Sequence, residues 1–147
     1  MKPLLSSALC LTVLATSAFA DTQLADIRTY ASQLEKGSEQ ITRLLNAKQP
    51  DAQGVRDGIA AMGVDIENLQ RLVAEVTVAN PQFVVRGDKD WDLLKTQVQL
   101  LVIFHNAKHE LMSADNMKRN RSALRVQAKG LTTRAEMLQA TVQRLQR

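Results

Sequence analysis

Four stretches of this chain carry apolar residues at alternating steps of three and four, and few folds are open to a chain so patterned. Leu24, Ile27, Ala31, Leu34, Ser38, Ile41 and Leu45 form the first seam, and Val55, Ile59, Met62, Ile66, Leu69, Val73 and Val76 the second. Leu94, Val98, Leu101 and His105 form the third, with a second stripe of Leu93, Leu100, Phe104, Ala107 and Leu111 beside it. Leu124, Ala128, Leu131, Ala135, Leu138, Val142 and Leu145 form the fourth. That spacing places the members of each seam on one face of an α-helix, and each such face must be buried against another. The expected fold is all-α, an antiparallel up-down-up-down four-helix bundle. Its helices are about 25 residues and roughly 35–40 Å long. The doubled stripe marks Trp91–Met112 as the most buried helix.

The breaks between seams are legible from turn chemistry. Pro50 disfavours helix at Gln49, and Asp51 suits the N-cap of a helix over 52–79. Asn80-Pro81 stops that helix and opens the longest connection, 80–89, which carries the apolar triplet Phe83, Val84 and Val85. Asp88, Asp90 and Asp92 mark the start of the third helix, where negative charge suits the helix dipole. Residues 113–120 are polar and read as the last turn. Continuing the third seam through them gives Asp115, Arg119 and Ser122, out of phase with the fourth. The first helix is expected from Thr22 to Ala47, weakened in the middle by Gly37 and Ser38. Gly58 to Gly63 are unusually small and suit close helix packing, or room for a ligand beside Met62.

Residues 1–20 read as a cleavable signal peptide. Lys2 gives a positive start, Leu4 to Val13 an apolar run, and Ala18-Phe19-Ala20 a small-residue cleavage site. The apolar run is shorter than the roughly 20 residues a membrane span needs. The remaining 127 residues, 21–147, suit one domain and contain no transmembrane segment. Cys10 is the only cysteine and falls in the leader, so the mature chain has no disulfide, thiolate metal site or CxxCH haem attachment. Export without cysteine fits a periplasmic protein. Nucleic acid is not an expected partner there.

Three groups of residues have chemistry to offer. His105 and His109 stand at i, i+4 and present two imidazoles on one helix face, with Met112 three residues on. Two nitrogens and a thioether suit copper better than zinc. In size, export and architecture the chain is similar to periplasmic four-helix cytochromes that hold haem non-covalently. It departs from them in having no histidine in its last helix, so a haem here would use Met62 and His105.

The second group is basic. From residue 118 to the end there are eight basic residues and one acid, Glu136, whereas residues 21–80 hold nine acids and six bases. Lys118, Arg121, Arg125 and Lys129 share one helix face and suit an acidic protein or an anionic membrane surface. The third group is the Phe83–Val85 triplet, either a flap over one end of the bundle or an exposed docking patch. The seams also suit a homo-oligomer. No serine–histidine–acid set, glycine-rich phosphate loop or HExxH is present, so catalysis is not expected.

Overall fold

The computed structural model describes the backbone of residues 8–85, 87–109 and 117–147, and the side chains of 21–83, 87–106 and 117–147. Among these residues the chain is all-helical, with five helices and no strand. They are α1 (Ala8–Asn46), α2 (Ala52–Ala79), α3 (Pro81–Val85), α4 (Lys89–His109) and α5 (Met117–Leu145). The four long helices supply one continuous core, built from the expected seam positions together with Leu72, Trp91 and Met117.

The helix starts are set by side-chain caps. Asp51 accepts from the backbone N–H of Gly54 at 2.9 Å, which supplies a partner to a donor that α2's first turn leaves open. Asp88 does the same for α4, its Oδ1 accepting from Asp90 and Trp91 at 2.9 and 3.1 Å. The connection after α2 is more ordered than its composition suggests. Pro81 takes the first position of α3, where its missing N–H is no loss. Gly87, at φ 59°, supplies the left-handed residue behind that turn, and Asp88 N–H closes onto the Phe83 carbonyl at 3.2 Å.

Two helices begin earlier than expected. No proline or glycine interrupts 8–22, so α1 runs on upstream of Thr22. The last helix starts at Met117 rather than after Asn120, because the fourth seam extends one heptad further back: Met117 lies seven residues before Leu124 and is buried.

The expectation that Trp91–Met112 is the most buried helix is not met. The most extensive packing is of α1 against α2 and α5; α4 packs on α5 and, less extensively, on α2. Among the described side chains only one stripe of α4 is buried. Leu93 and Ile103 face out, Ile103 being 61% exposed, and Phe104 is half-buried. Leu93 and Phe104 of the second stripe therefore widen the surface of α4, while the side chain of Ala107 and the whole of Leu111 lie outside the described residues.

Close approaches set the register. Along α1 and α5, Arg121 meets the Leu45 and Ala47 carbonyls, Ser38 meets Thr132, and Glu35 meets Gln139. Ser38 is fully buried within the first seam, its hydroxyl 2.7 Å from that of Thr132. It weakens the helix locally but gives the α1–α5 interface a polar pair that only one register satisfies. Between α1 and α2, the small residues of Gly58–Gly63 are filled by neighbouring side chains. A Cβ at Gly58 would lie 3.1 Å from Ile41 Cγ1, and one at Gly63 only 2.9 Å from His105 Nε2. Gly63→Ala is expected to cost about 1–2 kcal/mol through overpacking. The loss should shrink in a His105→Ala background, and urea unfolding of both single variants and the double reads the coupling. Strict additivity would show that the imidazole does not hold α4 against Gly63.

Candidate functional site

The basic stripe of α5 divides into two kinds of residue. Arg121 donates from Nε to the Leu45 carbonyl and from Nη2 to the Ala47 carbonyl. Arg125 donates from Nη1 to Asn46 Oδ1 at 3.1 Å. Arg121 thus closes the C-terminal end of α1, where carbonyls are left without intrahelical donors and the helix dipole is negative, while Arg125 meets the side chain of its last residue. Lys118 and Lys129 are exposed, and neither is ion-paired among the described residues. Lys129 lines a polar groove of about 590 Å³ with Glu39, Arg43 and Glu136, which partly neutralises it. Lys118 lies at the opposite end of the stripe, beside Lys48 and Arg121. The stripe is therefore most positive at the end where α1 stops and α5 begins.

Two other basic residues of α5, Arg134 and Arg144, pack or bond against α4. Arg134 lies over the Phe104 ring at 4.1 Å from its centroid. Arg144 Nε donates to Asp90 Oδ1 at 2.8 Å, tying the end of α5 to the first turn of α4. Arg121 and Arg144 thus tie α5 to the end of α1 and the start of α4.

The histidine helix is only partly described. His105 is buried with its imidazole packed over Gly63 on α2. Met62 is also buried, but its Cγ and Sδ pack at the Gly37 position of α1, 3.3 and 3.6 Å from where a Cβ would stand. The two side chains meet different helices. The His109 side chain and the whole of Met112 lie outside the described residues. Among the described residues no group of three or more His, Cys, Asp or Glu is arranged to hold a metal ion.

Phe83 is half-buried and stacks on Trp91, ring centroids 5.1 Å apart at 22°. It thus lies on the core side of the 80–89 connection, as a flap residue does. The side chains of Val84 and Val85 lie outside the described residues.

One carboxylate is perturbed. Asp65 lines a groove of about 530 Å³ between α1 and α2, with Gly37, Gly58 and Met62 among its walls and Lys36 and Asp57 at its rim. Burial pushes the Asp65 carboxyl above the ordinary range. Desolvation alone accounts for that direction, which sets this group apart from one tuned by a charge partner. Among the described residues no helix is long and apolar enough to cross a membrane. Comparison with protein-family models, curated proteins and solved structures finds no match.

Lys48 was not singled out from the sequence, and Met117 only as a further metal donor beside Met62, not as a core residue. Met117 carried a signal, its seven-residue distance from Leu124. Lys48 carried none, since an isolated lysine in a turn has no periodicity to read.

Proposed function

We propose that residues 21–147 form an antiparallel up-down-up-down four-helix bundle, exported to the periplasm by the leader 1–20, that acts without catalysis by binding an anionic lipid surface. The topology rests on the order of the contacts. Numbers rise on α5 as they fall on α1, from Arg121 with Leu45 to Gln139 with Glu35. The same inversion pairs α1 with α2, through Leu44 with Gly54 and Ile41 with Gly58, and α4 with α5, through Phe104 with Gly130 and Asp90 with Arg144.

The binding reading rests on one observation: Lys118 and Lys129 stand exposed on a face whose other two cations, Arg121 and Arg125, are hydrogen-bonded to the end of α1. Exposed lysines on flexible stems suit headgroup phosphates as point charges, at about 1 kcal/mol each near an anionic surface. The Phe83 ring is engaged with Trp91 and is not counted in that surface.

The test uses Lys118→Glu with Lys129→Glu, leaving both arginines in place. Sedimentation with phosphatidylglycerol vesicles is expected to show binding that weakens with salt and falls about ten- to a hundredfold in the variant. Unchanged binding in the variant, or none by the parent at low ionic strength, would overturn the proposal.

A further inference from the structure

At the junction of α1, α2 and α5 a cavity of about 230 Å³ is lined by Lys48, Pro50, Ala52, Met117, Lys118 and Arg121. Its walls are of two kinds. Pro50, Ala52 and the buried Met117 give an apolar floor. Lys48, Lys118 and Arg121 bring three positive charges to the same opening. Among the described residues neither lysine is ion-paired, and Asp51, three residues from Lys48, is turned onto Gly54 N–H as the cap of α2; Asp115, three residues before Lys118, lies outside the described residues. Arg121 is fixed by the α1 carbonyls, so its charge is positioned before any ligand arrives.

We infer that this cavity is a binding site for a small amphipathic anion, a short alkyl chain ending in a carboxylate or phosphate. An apolar floor with a few convergent polar groups at its mouth is the general form of a small-ligand site. The volume corresponds to seven or eight waters at about 30 Å³ each, room for an alkyl chain of about six carbons but not for a long acyl chain. An inorganic anion would leave the floor unused, and an alkylamine would place its charge among three cations. The site shares Lys118 and Arg121 with the membrane-binding stripe but goes beyond it, and the two proposals fail separately.

The experiment follows the methyl resonances of the full-length protein labelled at methionine. Met117 reports from the cavity floor, Met62 from the core and Met137 from the exposed side of α5. Hexanoate is expected to shift the Met117 methyl saturably and leave Met62 and Met137 in place. Lys48→Gln with Lys118→Gln is expected to weaken hexanoate about five- to tenfold, as two partly exposed ionic contacts do. Hexylamine and inorganic phosphate are the controls. The inference is overturned if Met117 does not respond to hexanoate, if hexylamine or phosphate moves it equally, or if the double variant binds hexanoate as the parent does. Vesicle binding that persists while hexanoate fails removes the cavity and leaves the membrane-binding stripe standing.

Discussion

Trp91→Ala is expected to lower the free energy of unfolding by about 3–5 kcal/mol, the range for truncating a fully buried aromatic ring. Trp91 has no exposed surface and is the largest fully buried side chain. It stands one turn into α4, where Asp88 caps the helix, and Phe83 of α3 stacks against it. Removing the ring takes away the packing of one end of the core and the surface on which α3 rests. A loss of that size is comparable to the whole stability of a small domain, so the variant is expected to be partly unfolded at 25 °C. Circular dichroism at 222 nm through a urea titration reads it without relying on the lost fluorophore. Trp91→Phe is expected to cost much less. The Trp91 Nε1–H is buried with no acceptor among the described residues, and phenylalanine removes that unsatisfied donor while keeping most of the ring. A cost below about 1 kcal/mol for Trp91→Ala would show that Phe83 and its neighbours close over the vacancy, and that the α3 flap does not depend on the ring.

The contrast between Trp91 and Leu93 shows what the pattern of a sequence carries. Every position of the first seam, from Leu24 to Leu45, is buried, and so are six of the seven in the fourth. A three–four repeat has one physical solution, and the all-helical fold follows from it. The second stripe of α4 obeys the same period yet leaves Leu93 in solvent and Phe104 only half-buried. Periodicity states that residues share a face; it does not state that a neighbour covers that face. The same limit applies to the small residues of α2. Gly58 and Gly63 announced a close approach, but only three-dimensional packing shows that the visitors are Ile41 and His105. The basic stripe was legible as a row of four charges. Its division into two arginines bonded to the end of α1 and two lysines without an ion pair among the described residues was not, because the groups the arginines meet lie more than 70 residues away in the chain. Sequence alone also cannot see the cavity at Lys48, which exists only because a turn, a helix start and a helix end converge.

That division makes Arg121 the position where stability and binding are most easily confused. Arg121→Ala is expected to destabilise the protein by about 2–3 kcal/mol, because two hydrogen bonds from a charged donor are lost and two carbonyls at the end of α1 lose their partner. Arg121→Lys should fall between the parent and the alanine variant. A single ammonium keeps the favourable charge at the helix terminus but lacks the planar fork that reaches Leu45 and Ala47 together. Lys118→Ala, on the same face but exposed, is expected to change stability by no more than about 0.5 kcal/mol. Urea unfolding of the three variants, read beside vesicle sedimentation of the same preparations, separates the roles. Arg121→Ala should lose stability at every ionic strength, since its bond to Leu45 is partly buried, while Lys118→Ala should lose vesicle binding mainly at low salt. If Arg121→Ala unfolds at the same urea concentration as the parent, the end of α1 is closed by something other than this guanidinium, and Arg121 returns to the exposed cations of the binding face. If it unfolds earlier, charge reversal at Arg121 is no test of partner binding, and only the lysines report on what the face recognises.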